Sequence, residues 1–389
     1  MATIIVGAYM VRYPLGAMMS WVVQYLAGFK KAGHDVYFVE KFGYPDSCFH
    51  PLENVMNNDC SYGIKQVNDL LTTFDLDKNW CFADYYGEYH GMDKTAVEAL
   101  FERADVYIDM GAGNGWEEER RRCACSVLID GEPGYTHIHR AGSLEMGIPY
   151  PQYDHYYTVG YNVGKPGNKI PAGGINWKYI HDPVDTEMFK VLPPPADAPF
   201  TTLMNWQSHR TIHYKGQDYG QKDLEFLKFL DLPGSSSTCF ELAVAGQNAP
   251  QDLLQSHGWK VIRAHDTTIT FQVFMDYIAR SKAEFSVCKN VFVALQAGLF
   301  SDRSAAFLAA GRPVIMQDTG FSEHLPCGTG LFAVNNLEEA REAVEEIERD
   351  WNKHSLAARA IALEYLDTSV VLNQFLKEIG INSHSKIAI

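Results

Sequence analysis

Short apolar runs alternate with longer amphipathic stretches in the first part of the chain. Residues 3–8 and 35–40 predict buried strands, and between them the apolar positions within 21–29 recur at helical spacing. A strand, a helix and a second strand joined in this way form a βαβ unit, which indicates a parallel, doubly wound sheet. Residues 106–109 and 126–130 predict further strands, each followed by a glycine-containing loop at the strand end where such sheets hold ligands.

A proline-rich segment, residues 193–199, interrupts this alternation and is typical of a stiff spacer. Beyond it the predicted elements are strand 200–204, helix 222–230, strand 240–245, helix 251–255, strand 260–263, helix 270–279, strand 284–287 and an acidic helix 337–350. The fold class is therefore α/β, with two Rossmann-like, doubly wound parallel-sheet domains, residues 1–192 and 200–363, facing an interdomain cleft. We expect a last helix, at about 364–380, to pack back on the first domain.

Charge and cysteine usage narrow the class of protein. The formal net charge of −15 over 389 residues argues against a broad nucleic-acid or membrane-surface footprint, since phosphate groups need a positive face. The start of the chain does not resemble a signal peptide, and no run approaches the roughly 20 apolar residues of a membrane helix. Eight scattered cysteines then favour reduced thiols over disulfides or zinc. We expect a cytoplasmic protein.

The segment around residue 300 carries the clearest chemical signal. Ser301 is a helix cap followed by small residues, and the helix stops at Gly-Arg-Pro, residues 311–313. A helix start presents unpaired N–H groups and a positive dipole end, so it can hold a phosphate. Arg303, Ser304 and, after the preceding strand, Lys289 lie nearby in sequence. The pattern predicts a nucleotide-diphosphate site, although Arg303 could instead pair with an acid such as Asp302.

Two further clusters follow strands of the second domain. Asn205, Trp206 and His209 come at the end of its first strand, where polar groups could reach phosphates or sugar and the indole could stack on a ring or plug the sheet. Asp318, Thr319 and Gly320 end a later strand and would face a donor sugar, with the glycine allowing close backbone approach.

Candidate general bases lie at strand ends of the first domain. They are Asp109, Asp130, Glu132 and His137, and each of them could equally be a loop cap or polar loop residue. His137 and His139 lack a third ligand nearby, so we expect no metal at this position.

The restart of α/β structure and the segment 309–315, Ala-Ala-Gly-Arg-Pro-Val-Ile, resemble glycosyltransferases of the two-domain GT-B class. The similarity is to the glycogen-synthase-like, family 4 type, whose second domain carries AAG-x-P-V. Residues 33–36 look like the G-H-x-V of that family, and residues 331–340 look like the segment after its donor site. The positions of its paired glutamates hold Gly298 and Ala306, which leaves Asp302 as the nearby carboxylate for a ribose.

This resemblance implies metal-independent transfer of a hexose from a nucleotide-diphosphate sugar, most simply a UDP-sugar, to a small-molecule or polymer acceptor. It places Tyr13 and Gly16 in an acceptor-side loop, and it implies no cofactor beyond the sugar nucleotide. Retaining and inverting outcomes both stay open. Three alternatives remain: a glucosyltransferase acting on hydroxymethylated bases in DNA, which the net charge disfavours, a nucleotide-sugar epimerase, and a non-catalytic two-lobed sugar-binding protein.

Overall fold

The computed structural model describes residues 1–111, 115–235, 238–246 and 248–381. The strands of the first half, in chain order, are β1 (Thr3–Gly7), β2 (Asp35–Lys41), β3 (Cys48–His50), β4 (Val55–Asn57), β5 (Trp80–Ala83), β6 (Tyr89–Gly91), β7 (Val106–Met110), β8 (Ser126–Asp130), β9 (His155–Thr158) and β10 (Lys178–Tyr179). Within the described residues, eight of them form one sheet in the order β10-β9-β8-β7-β1-β2-β5-β6. All neighbours are parallel except the hairpin β5–β6. Strands β3 and β4 form a separate hairpin.

In the described part of this half, four helices connect the strands: α1 (Gly16–Lys31), α2 (Ser61–Thr72), α3 (Lys94–Arg103) and α4 (Tyr135–Glu145). Helix α3 begins at a side-chain cap, since the Asp93 carboxylate accepts the backbone N–H of Ala96 at 2.9 Å. Helix α1 buries one broad apolar face that includes Val22, Leu26 and Phe29. The crossovers thus bring the carboxyl ends of β1, β7 and β8 to one edge of the sheet.

The second half repeats this architecture. Its strands are β11 (Phe200–Asn205), β12 (Ile212–Tyr214), β13 (Gln217–Tyr219), β14 (Phe240–Ala245), β15 (Lys260–Arg263), β16 (Ala283–Ser286), β17 (Val314–Gln317) and β18 (Leu331–Val334). Six of them, in the described part of the chain, form a wholly parallel sheet in the order β15-β14-β11-β16-β17-β18. The helices are α5 (Lys222–Phe226), α6 (Gln251–Ser256), α7 (His265–Thr268), α8 (Phe271–Arg280), α9 (Asn290–Ala294), α10 (Asp302–Ala309) and α11 (Leu337–Arg349).

The chain then returns to the first half. Helix α12 (Trp351–Ile361) continues into a π-helical turn at Ala362–Leu366, and α13 (Thr368–Glu378) follows. Helix α13 lies on α1, with the rings of Phe29 and Phe375 6.2 Å apart, and the Tyr157 hydroxyl donates to Glu378 at 2.8 Å. The sequence predicts one helix over 364–379, whereas the structure divides that stretch at Asp367, whose carboxylate caps α13 by accepting the Ser369 N–H.

The chain passes between the halves twice, and the two connecting segments lie side by side. Val184 donates its N–H to the Leu366 carbonyl at 2.8 Å and accepts from the Thr368 N–H at 3.0 Å. The Arg359 guanidinium donates to the Thr186 carbonyl at 2.7 Å. At a second interdomain contact, Gly16 at the start of α1 is packed so tightly that a Cβ there would lie 2.2 Å from the Thr270 carbonyl oxygen. The halves therefore touch directly at both places.

The predicted α/β class with two parallel sheets is confirmed. Strands β8, β14 and β15 have the bounds that the sequence predicts. Strands β8 and β14 are buried on both faces and largely hydrophobic, whereas β15 is an edge strand with exposed Lys260 and Arg263. The helix predicted over 222–230 is α5 followed by a 3-10 turn at Leu227–Phe229. Among residues 1–111, 115–235, 238–246 and 248–381, none of the helices combines the length and apolarity that crossing a bilayer requires.

Candidate functional site

Two adjoining cavities lie between the sheets, at the carboxyl ends of their strands. The larger, about 430 Å³, is lined mainly by α1 and the loop after β8, and the smaller, about 280 Å³, mainly by the second half. They share Gly131, Glu132, Asp182, Asp302 and Arg303. Each cavity is lined by residues of both halves, and the shared residues connect the two cavities. Together they form the interdomain cleft that the sequence predicts.

Three cationic side chains line the smaller cavity: Lys222, Lys289 and Arg303. Arg303 donates from Nε to Glu284 at 2.6 Å and from a terminal nitrogen to Ser286 at 2.8 Å. Lys289 pairs with Glu132 of the first half. Lys222, by contrast, forms no ion pair with any described residue. Burial, and then the neighbouring charge of Arg303, lower the pKa of Lys222 to about 7. Lys222 is thus a buried amine without a carboxylate partner among the described residues, and near neutral pH about half of it is protonated.

Helix α10 begins at the wall shared by the two cavities. Ser301 is its N-cap residue, and its hydroxyl donates to Asp302 at 3.3 Å rather than capping a backbone N–H. Ser301 thus leaves the first-turn N–H groups to other acceptors, and the Asp302 carboxylate takes that of Arg303. Burial raises the pKa of Asp302, although the adjacent Arg303 opposes this. The start of α10 thus presents Asp302 and Arg303 to both cavities.

Glu132 connects the two halves across the cleft. Its Oε1 pairs with Lys289 and lies 3.9 Å from Nε2 of His209, whose ring stacks on Tyr135 with centroids 4.4 Å apart. Burial alone would raise the pKa of Glu132, but Lys289 and then His209 outweigh it and the pKa is lowered. Within the described residues its buried Oε2 has no hydrogen-bond partner. Glu132 is thus an ionised carboxylate with one free oxygen in the cleft.

Asp182, which the sequence analysis does not single out, lines both cavities. It follows the two-residue strand β10, which has no apolar run to reveal it. The Trp21 indole donates to its Oδ1 at 2.8 Å. Burial, and then the nearby Asp302 carboxylate, raise the pKa of Asp182 to about 8. Lys222 was also missed, since its isolation from acids is visible only after folding.

The other three candidate bases, Asp130, His137 and Asp109, make their side-chain contacts within the first domain and do not bridge the cleft as Glu132 does. Asp130 lines the larger cavity, but its oxygens accept from Thr136 and, at 2.9 Å, from Thr158, so it anchors its loop. His137 is buried against Trp177, and its Nδ1 accepts the Gly134 N–H at 3.3 Å. Burial lowers the pKa of His137. Asp109 accepts from the Tyr153 hydroxyl at 2.5 Å, and neither His137 nor Asp109 lines a cleft cavity.

The donor-side candidates divide in the same way. Asn205 and Ser301 line the smaller cavity and His209 the larger one. Trp206 plugs the sheet instead, packed on Phe226 with centroids 5.7 Å apart. Ser304 is buried, and its hydroxyl points to the Met316 sulfur at 3.8 Å.

The turn after β17 also lies outside both cavities. Asp318 accepts the Gly320 N–H at 2.8 Å, and Thr319 donates to the Leu299 carbonyl at 2.6 Å. A side chain at Gly320 would strike Asn162, so the glycine serves a close internal approach. These groups are satisfied by the fold, and the prediction that they face a donor sugar is not supported by their position.

The acceptor-side loop lies one residue layer behind the larger cavity. Tyr13 packs on Phe49 and on Tyr9, with centroids 6.5 and 6.2 Å apart, and it is Tyr9 that lines the cavity. Gly16 serves the contact with Thr270 described above. The loop therefore shapes the site through Tyr9 and α1.

No protein-family model and no curated protein matches the chain. Solved structures do match over nearly its whole length. They include an alpha-glucosyltransferase in complex with UDP and a 13-mer DNA, at 11% identity, with 97% of this chain and 99% of that chain covered and a TM-score of 0.58. Sucrose-phosphate synthase from Thermosynechococcus elongatus matches at 12% identity, with 97% and 99% covered and a TM-score of 0.55. Anabaena HepE in complex with UDP and glucose matches at 11% identity, with the same coverage and a TM-score of 0.55.

These neighbours share the two-domain architecture with this chain. Because the identities are only 11–12%, the matches establish the fold alone. The GT-B resemblance drawn from residues 309–315 is confirmed at that level.

Proposed function

We propose that the chain is a glycosyltransferase that moves a sugar from a nucleotide-diphosphate sugar, held by the second domain, to an acceptor held by the first. The observation that carries the proposal is the convergence of Lys222, Lys289 and Arg303 on one interdomain cavity at the start of α10. A departing diphosphate needs fixed positive charge and hydrogen-bond donors where its negative charge develops. Structural neighbours in complex with UDP and with UDP-glucose support a uridine nucleotide as the donor.

Lys222 is the cation best suited to a donor phosphate. Burial and Arg303 hold its pKa near 7, so an incoming diphosphate stabilises the ammonium form and draws a proton on to it. Arg303 is already committed to Glu284, and it contributes its remaining donors and its charge from the edge of the cavity. The binding energy of the diphosphate therefore depends most on Lys222.

Lys289 couples donor binding to the acceptor side. Its ammonium pairs with Glu132 across the cleft, and a diphosphate competes with that carboxylate for it. When Lys289 turns to the phosphate, Glu132 loses the interaction that lowers its pKa while it stays buried. Its pKa then rises, and the carboxylate becomes a stronger base for the hydroxyl proton of an acceptor. Donor binding would thus prepare Glu132 for acceptor activation.

The larger cavity is the acceptor site in this proposal. Tyr9, Trp21 and Tyr135 line it together with Glu132 and Asp182, which suits a ring-containing, hydroxylated acceptor. A second candidate acceptor is a hydroxylated base in DNA, because structural neighbours include an alpha-glucosyltransferase in complex with UDP and DNA containing an HMU base. We favour a small molecule or an uncharged polymer, since the net charge of −15 opposes a phosphate backbone.

Nucleotide binding to the Lys222→Met variant tests the proposal. We expect UDP to raise the melting temperature of the wild-type protein more than GDP, ADP or TDP does, because a ligand that binds only the folded state stabilises it. Removing Lys222 should weaken UDP binding about 10- to 100-fold, the effect of losing one charge-assisted contact. Lys228→Met is the matched control, since Lys228 pairs with Glu225 and lines neither cavity.

Equal UDP affinity in wild type and Lys222→Met, measured by titration calorimetry, would refute the assignment of the diphosphate site. Product analysis separates the alternative activities. An epimerase converts the sugar nucleotide without an acceptor, and a sugar-binding protein releases no UDP.

A further inference from the structure

A cluster of three potential metal ligands lies away from the cleft, at the far edge of the first sheet. Cys60 precedes α2, Asp84 follows β5 and His90 lies in β6. One donor atom from each of the three lies within 4.8 Å of the others. Nε2 of His90 is 2.9 Å from Oδ2 of Asp84 and 4.0 Å from the Cys60 sulfur. The three donors are therefore brought together from two segments, the start of α2 and the β5–β6 hairpin.

These spacings fit a tetrahedral metal ion. Zinc binds sulfur at about 2.3 Å and nitrogen or oxygen at about 2.0–2.2 Å, which sets its ligand atoms roughly 3–4 Å apart. The three atoms need only small shifts to reach this geometry. Thiolate, imidazole and carboxylate together are a donor set that favours zinc over calcium or magnesium.

The surroundings of Asp84 hold its carboxylate in a ligating orientation. Its Oδ1 accepts the backbone N–H groups of Tyr86 and Glu88, both at 2.9 Å. This leaves Oδ2 directed at His90. The His90 ring lies nearly parallel to Phe82, with centroids 6.3 Å apart. Metal ligands are commonly fixed in this way by hydrogen bonds from the neighbouring backbone.

We propose that Cys60, Asp84 and His90 bind a zinc ion, with a water molecule as the fourth ligand. On binding, the Cys60 thiol loses its proton to solvent and Nε2 of His90 presents its lone pair, with the ring proton on Nδ1. Thiolate and carboxylate together balance the charge of Zn²⁺. Cysteine spacing does not reveal this site, because only one of its ligands is a cysteine.

Zinc here clamps a segment that touches the second domain. Cys60 and His90 are 30 residues apart, so the ion joins the edge hairpin β5–β6 to the start of α2. Two residues on, the Tyr62 hydroxyl donates to the Ile269 carbonyl of the second domain at 3.4 Å. The zinc site fixes this contact and takes no part in the proposed transfer reaction. The zinc proposal is therefore tested independently of the proposed function.

Metal analysis of the full chain, purified without a histidine tag, tests the site. We expect about one zinc per chain by mass spectrometry, and visible bands of tetrahedral Co²⁺ with a thiolate-to-cobalt charge-transfer band after replacement. Cys60→Ser should abolish the charge-transfer band, and His90→Gln should lower zinc affinity at least about 100-fold. Exposed Cys239→Ser and His257→Gln, whose imidazole pairs with Asp231, are the matched controls and should retain the metal.

Absence of zinc from the wild-type protein, together with no cobalt band, would overturn the proposal, as would a charge-transfer band that persists in Cys60→Ser. Circular dichroism establishes that each variant is folded. If Cys60→Ser does not fold, the wild-type cobalt spectrum and the His90→Gln affinity decide the question.

Discussion

Asp182 is held in an environment that opposes its charge. It is buried in the cleft with Asp302 nearby, and its pKa is raised to about 8 in the folded chain. In the unfolded chain an aspartate titrates near pH 4. Between these values the folded state binds a proton that the unfolded state does not, so stability falls as the pH rises from about 4 to about 8. At neutral pH the protonated form can donate a hydrogen bond to a ligand in either cavity.

Asp182→Asn should therefore stabilise the protein at neutral and mildly alkaline pH. Asparagine keeps an oxygen for the Trp21 indole and carries no charge. We expect a gain in melting temperature that is near zero at pH 4 and grows to roughly 2 °C or more at pH 8. Scanning calorimetry across this range, with exposed Asp197→Asn as control, measures it. A gain that does not change with pH would contradict the pKa assignment.

Single residues of the site differ in how far sequence predicts them. Lys289, Ser301, Asp302 and Arg303 were found because a helix cap and a strand end are local patterns. Lys222 and Asp182 owe their chemistry to burial and to neighbours far away in sequence. The sequence leaves open whether Trp206 stacks on a ligand ring or packs inside the domain, and the structure shows it packed on Phe226. Local sequence patterns predict where an anion site lies, and packing decides which side chains are left unpaired there.

Helix α10 and strand β16 act as one unit through Arg303 and Glu284. Sequence suggests Asp302 as the ion-pair partner of Arg303, but Asp302 is its immediate neighbour on the helix, whereas Glu284 lies on the adjacent strand. The Glu284 side chain is 0% exposed, and its Oε2 has no partner among the described residues. Arg303 thus has two roles: it neutralises the buried Glu284 carboxylate of the sheet, and it lines the cavity.

Arg303→Ala should destabilise the protein by about 3–5 kcal/mol, because it leaves a buried carboxylate unpaired. Adding Glu284→Gln should recover much of this loss, since the uncompensated charge is gone. Arg349→Ala removes an exposed pair with Glu346 and should change stability by less than about 1 kcal/mol. Urea unfolding compares the three variants. The interpretation fails if Arg303→Ala is as stable as the Arg349 control.

At the scale of elements, the predicted strands are those with continuous apolar runs. Strand β8 has its predicted bounds, while β10 has only two residues and β6 contains Tyr-His-Gly, which has no strand pattern. Sheet pairing forms these short strands, so local sequence does not reveal them. The same holds for the break at Asp367, where a cap within an apparently helical stretch starts a new helix.

For the whole molecule, net charge bears most directly on the acceptor. A duplex approaching the cleft meets a protein of net charge −15, although three cations line the smaller cavity. Long-range electrostatics therefore favours a neutral or positively charged acceptor over DNA.

We expect no measurable binding of duplex DNA, with or without a hydroxymethylated base, at physiological salt. Fluorescence anisotropy from low to physiological salt measures this directly. Affinity that falls linearly on a double-logarithmic salt plot would instead show phosphate contacts and favour the DNA acceptor. UDP release in the presence of glycosides or of DNA, compared in one assay, then identifies the acceptor class.

The adjacent chain segments between the domains, joined at Val184 by backbone hydrogen bonds to Leu366 and Thr368, also limit how the two domains can move. Two connections that run side by side permit rotation about a line through both, and they resist sliding or twisting of one domain on the other. Substrates would therefore enter and leave from the side of the cleft farthest from Val184, and the width of that entrance depends on a single angle.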